Sequence, residues 1–506
     1  MCIVAPRAAT DTARARFACV PWHDDHPDRL ALDCRLPADH LARQIDAAVA
    51  RLDLGPLFAC YGGTGSDAFP PDLLLRAVLF ETRRGLHSPA AWHRDAHECE
   101  PVRWLLRGCA PSRSCWYAFR DRVGPVLLGL QQQPLAQALA AGLTPATRGA
   151  EDGTLVAAHA SRHRLVNEPT LRQRAQQLAE AIAADERGQA PPTVPAWLAA
   201  QPAGRQRQQQ RLQQAQTRME ELQDRNRHKR ASKRKAPEKI VVSLSDPQAA
   251  LGKDKEDVYR PLYNVQIVDD LDSPFVLAYE VFAQPNDAGL LGTLLARARE
   301  LLGHALHTLL VDTAYVGGSD LAAAQAAGAT VYAPLPKEAK TKDMQLPKSA
   351  FTWQAAEQTY ICPQGHRLVY EGASTQKRSA TEAVVLHCYR CPPAHCQDCP
   401  LQAACTKNPA AGRTISRGED EALIEALRLR METAEAKALY RLRRQTVELV
   451  NADWKAHRKL RRFSGRGLAR VRCQVGLMVL AHNLLTLLSE EKKARAPAAK
   501  PGANTT

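Results

Sequence analysis

Three carboxylates stand where this chain could do metal-assisted chemistry. In HALHTLLVDTAYVGG (304–318), Leu309, Leu310 and Val311 form an apolar run suited to a strand buried on both faces, and the run stops at Asp312. A carboxylate at the carboxyl edge of an open sheet borders the crevice where ligands and metals collect, although the same residue could simply cap a turn. Asp152 opens a second strand-like run, DGTLVAAHAS. In LYRLRRQTVELVNADWKAHRKLRRF, Tyr440, Arg444 and Glu448 recur at i, i+4 and i+8, with Lys455 two turns further on. One helix would then carry all four side chains on nearly the same face. That face fits the gripping of a metal and a phosphate, although a row of surface ion pairs would have the same spacing.

A second kind of chemistry is written in sulfur. Cys388, Cys391, Cys396 and Cys399 make a C-x2-C-x4-C-x2-C array, with Cys362, His366, His387, His395 and Cys405 nearby. Two knuckles of this spacing put thiolates on tight turns where four can meet a tetrahedral Zn²⁺. The alternative is a set of reduced, unligated thiols. A disulfide framework is not expected, because the chain reads as intracellular.

The elements that must position these groups can be read in order. Pro71 or Asp72 starts a helix that Gly85 stops. Ser88 and Ser112 stand as N-caps of two more, the second carrying Arg113, Arg120 and Arg122 beside Trp116, Tyr117 and Phe119. Short helices on tight turns are compatible with a helix-turn-helix module over 1–140, in which Arg113 and Arg120 would reach DNA, and equally with an ordinary bundle. From 146 to 340 the pattern is strand, strand pair, helix, strand, helix, strand, which predicts an α/β unit with a mixed sheet covered by helices. Residues 171–240 interrupt it with a Gln- and Arg-rich stretch whose thin apolar stripe (Leu212, Met219, Leu222) predicts a long polar helix or helical hairpin ending in a basic run. A Cys-rich unit (341–412), late helices carrying Glu448 (413–490) and a Lys-, Ala- and Pro-rich tail (491–506), expected to be disordered, complete the chain.

Composition narrows the partners. The 506 residues need two or three folding units, and 68 Lys and Arg against 53 Asp and Glu give a formal charge of +15. Such a balance points to a polyanion, most simply nucleic acid, without separating DNA from RNA. The N-terminus lacks a secretory pattern, and the apolar segment 475–488, broken by His482 and Asn483, reads as too short to span a bilayer, so a soluble protein is expected.

Together, DGTLVAAHAS, VYRPLYNVQIVDD with the later Asn286-Asp287, LLVDTAY, YRLRRQTVELVNADWK, FSGRG and AHNLL resemble the DDE transposases of bacterial insertion sequences, over about Leu73 to Leu488. The resemblance implies an RNase H-like core, an N-terminal helical DNA-binding domain and a Cys-rich, zinc-ribbon-like insertion. It implies Asp152, Asp312 and Glu448 as catalytic and metal-binding residues, with Arg444, Lys455 and Tyr440 as the basic and tyrosyl companions of the Glu. Where the family often has Phe-Gly after the Glu, this chain has Asn451 and Ala452. Three carboxylates brought together would take up protons unless divalent cations kept them ionised, so Mg²⁺ or Mn²⁺ is implied at the triad and Zn²⁺ at the cysteines. Two such ions can activate water and steady a leaving 3′ oxygen. The implied partners are duplex DNA, as element ends and as target, and a second copy of the chain, in a bacterial cytoplasm at the nucleoid, with no membrane. A non-catalytic DNA-binding descendant, or an RNase H-like nuclease without strand transfer, would share much of this pattern.

Overall fold

The computed structural model describes residues 16–62, 66–191, 194–229, 231–336, 346–377 and 383–495. Of the tail expected to be disordered, 491–495 instead continue the last helix, with Glu491 paired to Arg51 (2.7 Å), while 496–506 and Arg230 of the basic run lie outside the described residues.

A six-stranded mixed sheet organises the middle of the chain. Its strands are β1 (Arg148–Ala157), β2 (Ala250–Lys253), β3 (Tyr259–Asp270), β4 (Val276–Phe282), β5 (Thr308–Leu310) and β6 (Thr330–Tyr332). They lie in the order β2-β3-β1-β5-β6, with β4 also paired to β3. β3 runs antiparallel to β1, β2 and β4, whereas β5 is parallel to β1 and to β6. Nearly every residue of β3 is buried, the polar Asn264, Gln266, Asp269 and Asp270 among them, because the strand is covered on both faces. One cover is the amphipathic helix Leu291–Leu302, which buries Leu291, Leu294, Leu295 and Ala298 against Phe275, Leu277 and Leu309. On the other face Trp454, Leu460 and Phe463 meet Val265 and Ile267.

N-terminal helices pack as a bundle on the same body. Pro71–Arg83 ends at Gly85, whose φ of +75° suits glycine. The Ser88 and Ser112 hydroxyls accept from Ala91 N and Cys115 N, the caps that the spacing predicts. What ties bundle to sheet is the helix Leu468–Arg495. It gives Leu477, Leu480 and Leu484 to the bundle core and Val471, Val475 and Val479 to the sheet core. This helix is longer than the 475–488 segment read from hydropathy, because Gly467 N bonds Asp246 Oδ1 (3.2 Å) and Leu468 N bonds Gln248 Oε1 (2.7 Å) to start it earlier. By length and composition it could cross a membrane, but 78% of its most apolar window is buried within the protein, as in a core helix.

The insertion after β1 is a helical hairpin, Glu168–Glu186 against Pro202–Arg227. It buries Leu171, Leu178, Leu212, Ala215 and Met219 and is closed by a short ladder between Leu165–Asn167 and Val241–Ser243. The Cys-rich unit has its own three-stranded sheet, Val369–Lys377, Ala383–Arg390 and Thr414–Gly418, over a core of Phe351, Tyr360, Leu368, Tyr389 and Ile415.

Candidate active site and metal centres

The parallel ladder pairs Ala150 of β1 with Leu310 of β5. Asp152 and Asp312 each lie two residues further on, and the chain stays extended at Asp312 (φ −79°, ψ 165°), so strand alternation carries both to one side of the sheet. That side is covered where Val447 packs on Ala150 and Leu310. Here the single helix expected over 439–463 does not form. Helix Ala434–Arg441 gives way to a 3₁₀ turn, Leu442–Gln445. Thr446 then breaks the path (φ −113°, ψ −92°), and a new helix runs Val447–Ala456. The tighter turn and the break shift the face by one residue, so Arg443 points inward and Arg444 is exposed.

Arg443 holds the site together. Its Nη2 donates to Asp152 Oδ1 (2.9 Å), its Nε and Nη2 to the carbonyl of Glu151 (3.3 and 3.0 Å), and its Nη1 lies 3.9 Å from Glu448 Oε1. Asn451, one helical turn beyond Glu448, donates to Asp152 Oδ2 (2.7 Å). Burial pushes the Asp152 carboxyl above the usual carboxylate range, opposed by Arg443 and Asn451. Tyr440 donates to the carbonyl of Val311 (3.2 Å), next to Asp312, whose own Oδ1 accepts from Thr313 N (2.6 Å). Lys455 is half-buried, and burial together with Lys255 and Arg461 lowers its affinity for a proton. Asp152, Glu448 and Tyr440 therefore meet around one guanidinium with Asp312 beside them, while Arg444 stays outside.

Two further acids border this edge. Glu151 is fully buried and accepts from Tyr315 OH (2.5 Å). Asp269, on β3, is buried with neither carboxyl oxygen partnered. Burial first, then the charge of Asp152, push it well above the usual range. The paired Asp269-Asp270 at the end of an apolar run was the available signal for Asp269. Arg443 had none, since helical spacing selects its neighbour.

The sulfur cluster differs from its spacing. Cys388 sits within Ala383–Arg390 with its Sγ between Ser374 Oγ (3.9 Å) and Ser416 Oγ (3.8 Å). Strand alternation gives the core to Tyr389 and turns Cys388 away. Cys391 and Cys396 are buried and line one small cavity with Cys362, Cys399, Cys405 and His395. Burial, with Cys396 and Cys362 close by, pushes the Cys391 thiol up to about 12. His366 N points at Cys362 Sγ (3.3 Å), and Gly365 takes φ +80° in the Cys362-Pro-Gln-Gly turn, a knuckle signal visible in the sequence. Soft thiols are the donor type that suits Zn²⁺, and Cys362 lines this cavity whereas Cys388 does not.

Among the described residues, the side chains that bring three ligand atoms within 4.8 Å of one another are those of Glu81, Asp95 and Cys99. Arg84 already reaches all three, at 2.6, 3.0 and 3.5 Å, so a cation there would face a resident guanidinium. In the N-terminal bundle Arg113 is exposed and lies over Tyr117. Arg120, expected to reach DNA, is instead buried against Leu468–Arg495 and paired with Asp121 (3.1 Å), because its helix docks by that face.

Fold and site thus define an α/β protein with a carboxylate-rich sheet edge and a cysteine-lined unit. Residues 361–488 match the family model described as a transposase DDE domain. The match takes in the cysteine cavity and Glu448 and ends before the C-terminal tail; Asp152 and Asp312 precede it. No curated protein and no solved structure matches the chain significantly.

Proposed function

We propose that the chain binds the terminal inverted repeats of an insertion sequence, cuts DNA there and joins the ends to target DNA, working as a dimer on the DNA. The observation that carries this reading is the Arg443 bridge, which joins Asp152 from the first strand to Glu448 from a late helix beside Asp312. The strand order, with β1 between an antiparallel β3 and a parallel β5, supports an RNase H-like core. The hard oxygen donors of Asp152, Asp312 and Glu448 suit Mg²⁺ or Mn²⁺, and such cations would supply activation of water or of a DNA 3′-hydroxyl. Asn451 orients the Asp152 carboxylate, Tyr440 fixes the backbone before Asp312, and Lys455 offers a positive charge for a phosphate beside Asp152. Cys362, Cys391, Cys396 and either Cys399 or Cys405 would hold a structural Zn²⁺.

The test is nicking of DNA bearing the element ends with Mg²⁺ present. Asp312→Asn should abolish nicking while leaving DNA binding intact; equal nicking by this variant would refute the assignment. Joining of pre-cut ends by the wild type separates a transposase from a nuclease.

A further inference from the structure

The insertion between β1 and β2 carries more charge than a solvated spacer needs, and the charge is sorted. On helix Pro202–Arg227 the apolar face of Leu212, Ala215 and Met219 is buried against the partner helix. Arg207, Arg211, Arg218 and Arg225 follow at intervals of four, seven and seven residues. At about 100° per residue they stay within about 40° of one another, forming a stripe about 27 Å long. A DNA strand presents about eight phosphates over that length.

The stripe ends at two hollows. Arg218 and Arg225 join Lys229, Lys235 and Lys239 around a cavity of about 360 Å³ with no carboxylate in its lining. Tyr259, 43% exposed, lies under the Lys235 ammonium (5.9 Å). Arg218 is the paired member of the stripe: its Nη1 meets Glu221 (2.7 Å) and its Nη2 donates to the Ala283 carbonyl (3.2 Å), while its Nε is a buried donor without a partner. At the other end, Arg164, Arg174 and Arg211 line a cavity of about 490 Å³, again without a carboxylate, and Arg174 stacks on Trp197 (5.4 Å). Among the described residues, Arg207, Arg211, Arg225, Lys229 and Lys239 make no ion pair. Arg211 lies near enough to Arg466 and Arg207 that, after burial, their like charges lower its proton affinity. Arg466 bonds the carbonyl of His159, just past β1 (3.0 Å), and Lys255, Lys455 and Arg461 continue the positive track to Asp152.

We propose that the 168–243 insertion is a clamp for the DNA backbone, gripping phosphates at Arg207, Arg211 and Arg225 of the stripe and at Lys229, Lys235 and Lys239 without reading sequence. This rests on the transposase reading for its ligand. Unpaired like charges beside an exposed Tyr259 and a half-buried Trp197 favour a nucleic acid over a protein partner. The clamp would hold DNA that flanks the bond at the carboxylate edge.

The experiment measures binding of the full chain to a labelled duplex of arbitrary sequence in EDTA, so that cutting plays no part. The test variant replaces Arg225, Lys229, Lys235 and Lys239 by Gln. A charge-matched control replaces Arg299, Lys437, Lys492 and Lys493, all exposed and away from the stripe. Four lost phosphate contacts should lower the salt slope by about 3.6, so the affinity gap to wild type should shrink about 150-fold between about 50 and about 200 mM salt. The control should keep the wild-type slope. An unchanged slope in the test variant, or an equal fall in the control, overturns the clamp while leaving the transposase reading intact. A wild type that binds no duplex overturns both. Preference for duplex RNA over DNA, with the same slope change, would overturn the choice of ligand.

Discussion

Arg443 is the residue on which the candidate active site most directly depends, and Arg443→Met keeps its bulk while removing its charge. The guanidinium side chain is 10% exposed and that of Asp152 is 23% exposed, so water can replace only part of the lost interaction. Breaking one partner of a buried ion pair costs about 3–5 kcal/mol, and the lower end applies because Asn451 still serves Asp152. At 1.36 kcal/mol per factor of ten, about 3 kcal/mol should speed hydrogen–deuterium exchange of the 442–456 backbone by about 160-fold. With Asp152→Asn also in place, Arg443→Met leaves neither charge of the pair stranded. There Arg443→Met should cost about 1 kcal/mol, near the net worth of ordinary hydrogen bonds, and speed exchange only about fivefold. Mg²⁺ should slow exchange in the single variant, by supplying the missing positive charge, and leave the double variant unmoved. Equal acceleration in both backgrounds would refute the coupling and with it the view that Arg443 neutralises Asp152.

Other consequences can be measured separately. Burial pushes Glu81 from 4.5 to about 7, so between these values the folded state binds more protons than the unfolded and stability falls as pH rises. Glu81→Gln should match wild type below the lower value and exceed it by about 3 kcal/mol above the upper one, and parallel stability–pH curves would contradict this. Metal analysis of protein purified under reducing conditions should find zinc retained by Cys388→Ser and lost by Cys391→Ser; the reverse would restore the spacing-based ligand set. Gly412 takes φ +74°, and a Cβ there would lie 2.1 Å from the Cys391 carbonyl oxygen. Gly412→Ala should therefore raise protease sensitivity within the Cys-rich unit, an effect that limited proteolysis would show or exclude.

Much of the fold is legible in the sequence, because the relevant signals are local. Caps at Ser88 and Ser112, the stop at Gly85, the apolar run ending at Asp312 and the hairpin over the Gln-rich stretch each depend on residues within a turn or two. Asp312 could be singled out for the same reason, since it follows directly on a strand end, whereas Asp152, expected to open its strand, lies in the middle of Arg148–Ala157, because pairing with Asp269 and Asp270 extends that strand back through the polar residues before it.

Tertiary structure decided what faces what. A 3₁₀ turn and the break at Thr446 turned Arg443 inward where α-helical spacing selects Arg444, and the same break placed Asn451 on Asp152. Strand parity, fixed by packing of Tyr389, removed Cys388 from the thiol cavity and left Cys362 to join it from an earlier turn. Docking of the helix Leu468–Arg495 chose which face of Arg113–Val123 is buried, and so took Arg120 out of solvent. Composition and periodicity thus determined which elements form and where acids, thiols and cations lie along them. A rotation of one residue, which no local pattern encodes, determined which of those groups meet.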